Sequence, residues 1–390
     1  MNDFSKLPED QQEELEDLGE AGSQYQAVIN QADWTVETII QQIDKGNIEL
    51  NPAFQRREAW RAPHKSQYIE SLILNVPVPQ IVLAERKDKR GKFIVIDGKQ
   101  RLLALRQFHS SDEVFPPYRL TGLSIRTDLN GVDYNQLSNN LIHEQDHNAL
   151  QNSTIRTAVI RNWANETFLY TVFLRLNTGS VPLSPQELRQ ALHPGEFVSF
   201  VDEYSRDAEL LHRVMGLSKA DPRMRDAELV IRYYAFRNFL DTYVGNLKPL
   251  LDTTADRLNK SWVSNQNQIQ GQRQDFEAAI DAAMEIFGED HAFRKWNGIK
   301  YERALNRAVF DVIIYYFASA QVRQESVAKA AEVEAAFRAL CVNEHFRAAI
   351  EGTTKSIEAI FTRLHMWGER LGALNIGVQL PQLVNNKITR

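Results

Sequence analysis

The chain has 390 residues, of which 43% are hydrophobic and 25% charged. This composition is that of an ordinary globular protein, and the chain is longer than a single hydrophobic core usually supports. Its single cysteine, Cys341, excludes a disulfide framework and a cysteine-based zinc cluster, and it favours a cytoplasmic protein. No apolar run approaches the roughly 18 residues that span a bilayer, and the hydrophilic start does not resemble a signal peptide. We therefore expect a soluble protein with no membrane partner.

The net charge of −6 is unevenly distributed. Residues 1–25 contain eight acidic residues and one lysine, so the rest of the chain is nearly neutral. This acidic segment is almost free of aromatic residues, and we interpret residues 1–29 as a flexible tail. A nearly neutral body with local basic clusters is compatible with DNA binding, although strong non-specific affinity is not expected.

The first predicted elements are helices with a short strand between them. Apolar residues at helical spacing predict a helix that ends near Gly46, and a second helix over residues 63–74. Residues 48–50 read as a short strand. Two β-branched runs, residues 81–83 and 93–96, flank a charged turn that ends at Gly91, which predicts a hairpin.

A helix is predicted directly after the second strand of this hairpin, with its apolar stripe between Leu102 and Phe108. Residues 119–126 and 154–160 alternate in the manner of further strands of the same small sheet, and residues 166–176 read as a helix. Together these elements predict a small mixed sheet with helices packed on it.

The sequence changes character at Ser184-Pro185-Gln186-Glu187, a capping box with proline at the first helical position. Residues 185–375 then follow a helical period with no clear strand. We predict an α+β fold class: an α/β domain over residues 30–190, an all-helical domain over residues 191–380, and a tail over residues 381–390.

The strand–turn–helix at residues 93–108 is the best candidate site. A glycine there lets the backbone approach a ligand, and the first N–H groups of the helix attract an anion such as phosphate. Arg101 is placed to clamp phosphate oxygens and Lys99 to add a charge, while Asp97 suits Mg²⁺ or a ribose hydroxyl and Gln100 suits a water. The alternative is an ordinary turn whose polar residues face water.

Two further clusters carry polar residues in suggestive patterns. Gln55, Arg56 and Arg57 precede Trp60 and Arg61, a combination that suits phosphate contact and base stacking, or else a solvated loop with the tryptophan in the core. Residues 175–179, which include Asn177, read as a helix that stops at a glycine.

One motif matches a zinc-binding pattern, but we do not interpret it as a zinc site. His143-Glu144-Gln145-Asp146-His147 matches the zinc-protease pattern H-E-x-x-H. Its neighbours are polar where a buried zinc helix needs an apolar stripe, and no clear third histidine follows. We therefore expect a polar surface helix without zinc.

Taken together, the clusters resemble one known family, the GmrS-type family with a DGQQR motif, which forms the amino-terminal domain of GmrSD-like and SspE-like modification-dependent defence proteins. The order and spacing of the motifs carry the resemblance over about residues 34–240. The matching segments are Asn51-Pro52-Ala53-Phe54-Gln55-Arg56 with Trp60, Pro77 with Pro79, Ile96-Asp97-Gly98 with Gln100-Arg101, Leu176-Asn177 with Gly179, and Arg223-Met224-Arg225-Asp226 with Glu228-Leu229. Lys99 stands where the family usually has glutamine.

The resemblance implies a ParB/sulfiredoxin-like domain that binds, and often hydrolyses, a nucleoside triphosphate (GTP, CTP or ATP) with Mg²⁺. It implies that Gln55, Arg56, Gly98, Lys99, Arg101 and Asn177 bind the nucleotide, with Asp97 and Gln100 catalytic and Asp97 on the metal. Arg57, Trp60 and Arg61 would contact DNA. Sulfiredoxin-like redox chemistry is not expected, because the only cysteine lies in the helical region.

The implied role is a nucleotide-dependent module of a prokaryotic anti-phage restriction system that senses modified phage DNA. The alternative is a DNA-binding modification sensor or nuclease subunit without nucleotide turnover. Residues 250–390 lack the histidine-rich pattern of the HNH nuclease that many relatives carry, so either a separate nuclease subunit or a nuclease domain outside this sequence cuts DNA, or the chain is a sensor. A homo-oligomer is compatible with this role.

Overall fold

The computed structural model describes residues 27–50, 60–109, 115–176, 184–352 and 354–389. The chain divides into two compact units, Met1–Leu192 and His193–Arg390. The first unit contains a four-stranded sheet with helices, and the described part of the second is almost entirely helical. The predicted α+β class, with a small mixed-sheet region followed by a helical region, is therefore confirmed.

The sheet of the first unit has the strand order β1-β4-β2-β3. Its strands are β1 (Val28–Thr35), β2 (Ile81–Glu85), β3 (Phe93–Asp97) and β4 (Thr154–Arg161). Strand β4 pairs antiparallel with β1 and parallel with β2, whereas β2 and β3 form the antiparallel hairpin that the sequence predicts. The sheet is therefore mixed.

The helices of this unit cover both faces of the sheet. They are α1 (Val36–Asp44), α2 (Ala62–Ile73), α3 (Lys99–His109), α4 (Tyr134–Asn139), α5 (Glu144–Asn152), α6 (Glu166–Leu176) and α7 (Pro185–Leu192). Leu83 and Val95 pack into one core with α1, α2 and α3, whereas the alternate residues Ala84 and Ile94 pack into a second core with α6 and α7. Burial on both faces explains why β2 and β3 are unbroken apolar runs.

Local sequence signals account for the starts of two helices. The Thr35 hydroxyl accepts a hydrogen bond from Thr38 N at 3.1 Å and so caps α1. Glu187 N donates to Ser184 Oγ at 3.1 Å and Ser184 N donates to Glu187 Oε2 at 2.6 Å. This reciprocal pair is the predicted capping box, now seen at the start of α7.

The predicted strand over residues 119–126 is wrong. Three of its backbone N–H groups donate to side chains of α2 instead of a strand partner: Thr121 N to Ser66 Oγ at 3.0 Å, and Ile125 N and Arg126 N to the Glu70 carboxylate. Buried Ser66 and Glu70 on α2 thus hold this segment as an irregular loop. Strand β1 was not predicted, since its mostly exposed residues show no alternation of apolar and polar side chains. The short strand predicted over residues 48–50 is reduced to a single β-bridge between Ile48 and Phe93.

The second unit is a helical array followed by a short hairpin. Its helices are α8 (Glu196–Asp207), α9 (Glu209–Met215), α10 (Arg225–Phe239), α11 (Leu247–Lys260), α12 (Trp262–Phe287), α13 (Arg307–Phe317), α14 (Ala320–Val327), α15 (Ala330–Cys341), α16 (Glu344–Glu351) and α17 (Ile357–Ala373). Strands β5 (Gln382–Val384) and β6 (Lys387–Thr389) pair antiparallel where the sequence predicted a tail. None of the described helices is long and apolar enough to cross a lipid bilayer.

A buried charge cluster joins three helices of this unit. Asp311 on α13 accepts hydrogen bonds from Arg232 Nε at 3.0 Å and from Arg232 Nη2 at 2.6 Å, which makes a bidentate pair with α10. Arg363 on α17 donates to the same carboxylate at 3.2 Å. All three side chains are buried, so the carboxylate offsets guanidinium charge that water cannot reach.

Candidate functional site

The turn between β3 and α3 requires glycine. Gly98 has φ of +97°, a conformation that L residues with a Cβ rarely adopt. A Cβ at this position would lie 3.0 Å from Ile81 Cγ1 and 3.4 Å from Ile81 Cα. Helix α3 begins at the next residue, so the N–H groups of its first turn have no acceptor within the helix. This is the strand–turn–helix geometry that the sequence predicts.

Arg101 lies against this turn, but it is buried. Its guanidinium donates to Gln80 O at 2.9 Å and to Asp97 Oδ2 at 2.8 Å, and only 5% of the residue is exposed. Arg101 is therefore not a surface residue. The arginine ties the end of β3 to the segment before β2, and its role as a phosphate ligand stays a prediction.

Lys99 is also buried, with 4% of the residue exposed, and forms an ion pair with Glu187 Oε1. Glu187 is the residue that caps α7, where its other oxygen accepts from Ser184 N. One carboxylate therefore connects the start of α3 with the start of α7. Because this lysine has an internal partner, its charge is not simply available to a ligand as the sequence suggested.

Gln100 connects the starts of α2 and α3. Its Oε1 accepts a hydrogen bond from Trp60 N at 3.2 Å, and the Trp60 ring lies edge-on to Tyr68 with 5.9 Å between centroids. The Trp60 ring is partly buried against the core, as the structural alternative for this residue predicted. Arg61, which directly precedes α2, is exposed and makes no capping hydrogen bond with its side chain.

Tyr68 is the residue of this region that sequence reasoning missed. Only 6% of it is exposed, yet the described part of the chain places no hydrogen-bond partner at its hydroxyl. Burial raises the pKa of the Tyr68 hydroxyl well above its usual range, against a lowering by the nearby Arg101 charge. The one signal in the sequence is a tyrosine within an otherwise apolar helix face, and that pattern alone indicates only core packing.

The structure brings Asp97, Gly98, Lys99, Gln100 and Arg101 together with Trp60 and Tyr68, and we call these seven residues the Gly98 site. Within it, the Asp97 side chain retains some contact with solvent, at 17% exposed. The remaining predicted site residues, Gln55, Arg56, Arg57 and Asn177, lie outside the described residues.

The H-E-x-x-H motif is split between two elements. His143 ends a short 3-10 helix and directly precedes α5, whereas His147 lies within α5. His147 Nε2 lies 3.3 Å from the Tyr134 hydroxyl, and His143 Nδ1 lies 3.9 Å from Asp146 Oδ2. Each of the two imidazoles therefore lies near a polar side chain of the protein, the Tyr134 hydroxyl or the Asp146 carboxylate.

Comparison with protein families gives one match, which covers residues 36–194 and is described as the N-terminal domain of the GmrSD restriction endonuclease. The matched segment contains the whole Gly98 site. No match to the chain was found among curated proteins or among solved structures. The order of the motifs, the mixed-sheet fold and this match agree, and residues 36–194 match the family of GmrSD restriction endonuclease N-terminal domains.

Proposed function

We propose that this protein is a nucleotide-binding, and nucleotide-hydrolysing, module of a prokaryotic anti-phage restriction system that senses modified DNA. The match of residues 36–194 to the N-terminal domain of the GmrSD restriction endonuclease supports the biological setting. The observation that carries nucleotide binding is the Gly98 turn, where a side chain is excluded by Ile81 and a helix begins at once. Backbone donors at such a turn, together with the helix dipole, favour a phosphate.

We assign the residues around the turn to a nucleotide bound with Mg²⁺, in roles that differ in part from those predicted from the sequence. Asp97 uses Oδ2 for Arg101, so we assign its second oxygen to the metal, whose chemistry would be to neutralise phosphate charge. Arg101 is held by Asp97 and Gln80 beside the glycine, where it places positive charge at the phosphates. Gln100, whose carbonyl oxygen accepts from Trp60 N, retains its amide N–H groups to orient a water.

Contact with DNA is the second part of this proposal. Exposed Arg61 at the start of α2 is suited to a backbone phosphate, together with Arg57 and the partly exposed Trp60. We further propose a separate nuclease subunit as the partner that cuts DNA, and a homo-oligomer as the working form. The nucleotide would be GTP, CTP or ATP.

A second candidate function is a DNA-binding modification sensor without nucleotide turnover. One observation favours it: both cations of the turn, Lys99 and Arg101, have internal carboxylate partners in Glu187 and Asp97. A ligand phosphate would compete with these carboxylates for the same charges. In this alternative the ion pairs hold the fold together and the DNA-contacting residues carry the function.

The experiment that separates the two candidates measures binding and phosphate release with GTP, CTP and ATP, each with Mg²⁺, in the absence and presence of modified DNA. The informative variant is Asp97→Asn, because asparagine keeps an oxygen that can accept from Arg101 while it removes the metal ligand charge. We expect the wild-type chain to bind one of these nucleotides and release phosphate, and Asp97→Asn to bind it with lost turnover. Modified-DNA binding without any nucleotide binding would contradict the first candidate and support the second.

A further inference from the structure

The Tyr68 hydroxyl is an exception among the buried tyrosine hydroxyls that the structure describes. Tyr233 donates to Gln272 O at 2.8 Å, Tyr234 to Ile269 O at 2.7 Å, and Tyr316 to Leu364 O at 2.8 Å. Tyr68 is as deeply placed, yet its hydroxyl meets no partner in the described residues. A buried hydroxyl without a partner destabilises the folded state, so its presence calls for a compensating role.

The surroundings of this hydroxyl indicate what it would meet. The Tyr68 ring contacts Trp60, whose backbone N–H is bound by Gln100 of the α3 first turn, and the Arg101 charge acts on the Tyr68 hydroxyl. The Tyr68 ring therefore lies beside a residue that Gln100 of the Gly98 site holds, and the Arg101 charge is near enough to act on the hydroxyl. Burial raises the pKa of this hydroxyl, so it stays protonated at neutral pH and is able to donate a hydrogen bond to a ligand.

We infer that Tyr68 is a ligand-contacting residue whose hydroxyl donates a hydrogen bond to a phosphate oxygen of a nucleotide bound at the Gly98 turn. This inference rests on the proposed nucleotide function and adds a residue that the sequence motif does not contain. A charged acceptor makes the stronger hydrogen bond, which suits a hydroxyl that has no acceptor among the described residues.

The inference has a consequence that an ordinary core tyrosine would not show. In the free protein the Tyr68 hydroxyl, which lacks a hydrogen-bond partner among the described residues, lowers the stability of the folded state. In the bound protein the same hydroxyl would donate a hydrogen bond to the ligand phosphate. Removing the hydroxyl while keeping the ring should therefore stabilise the free chain and weaken binding at the same time. A hydroxyl with a structural partner would give the opposite effect on stability.

The test uses the full chain with Tyr68→Phe, and Tyr234→Phe as the matched control, since the Tyr234 hydroxyl has a backbone partner in the helical unit. Calorimetric melting is measured without nucleotide, and calorimetric titration is measured with GTP, CTP and ATP in Mg²⁺. We expect Tyr68→Phe to raise the melting temperature by about 2–6 °C and to weaken nucleotide binding about tenfold or more. The control should melt lower and bind as the wild type does.

The outcomes separate the inference from the function on which it rests. If the wild-type chain binds a nucleotide and Tyr68→Phe binds it equally well, the inference is overturned and the nucleotide site remains. A lower melting temperature for Tyr68→Phe also overturns the inference, because the hydroxyl would then have a structural partner. If the wild-type chain binds none of the three nucleotides, the proposed function fails and the inference fails with it.

Discussion

Replacing Arg101 by alanine tests whether this buried arginine holds the fold together. The substitution removes two hydrogen bonds, one to the Gln80 carbonyl and one to the Asp97 carboxylate, and it leaves both acceptors without that donor. Breaking a well-buried ion pair costs about 3–5 kcal/mol, and losing one hydrogen bond to a charged group costs about 1.5–3 kcal/mol. Because Asp97 retains some exposure, water can replace part of the loss.

We therefore expect Arg101→Ala to lower the free energy of unfolding by about 2–3 kcal/mol, which corresponds to roughly 4–12 °C in melting temperature for a unit of this size. The assay is calorimetric melting of the full chain, with Arg61→Ala as control, since Arg61 is exposed and makes no capping hydrogen bond through its side chain. The control should melt with the wild type. An unchanged melting temperature for Arg101→Ala would refute the conclusion that the hydrogen bonds of this buried arginine stabilise the fold.

Three further substitutions or probes have defined expected outcomes. Gly98→Ala should destabilise the chain by about 1–3 kcal/mol in denaturant titration, because the residue needs a positive φ and its new Cβ would press on Ile81; equal stability would contradict the turn geometry. Asp311→Asn should cost about 3–5 kcal/mol in the same assay, since it removes the buried negative charge that accepts from both Arg232 and Arg363, and a loss below about 1 kcal/mol would count against that cluster. Burial raises the pKa of the Cys341 thiol to about 12. The folded chain at pH 8 should therefore not react with a thiol reagent that labels the chain in guanidinium. Because the pKa is raised only in the folded state, the free energy of unfolding should fall as the pH rises above about 8.5, the usual pKa of a free thiol. Rapid labelling of the native chain would contradict this burial.

The local elements were predictable because their signals lie within a few residues of one another. Helix α1 follows a helical apolar spacing after a capping threonine, and the β2–β3 hairpin follows two β-branched runs with a turn between them. The capping box from Ser184 to Glu187 is a four-residue signal and forms as predicted. By contrast, the prediction of a strand at residues 119–126 was wrong because the local pattern could not reveal a distant partner. Glu70, some 55 residues earlier, accepts hydrogen bonds from two backbone N–H groups of this segment.

By itself, the sequence determined the family resemblance of residues 36–194 and the strand–turn–helix around Gly98, since motif order and the glycine between a strand and a helix are properties of the linear chain. It also determined which charged residues surround the turn. Only the tertiary structure decided what those charges do, because an ion pair depends on which side chains packing brings together. Lys99 meets Glu187 from 88 residues away and Arg101 meets Gln80 from 21 residues away, whereas the Tyr68 hydroxyl meets no described partner. No local spacing encodes those outcomes, since each is set by the packing of α2, α3 and α7 around one sheet.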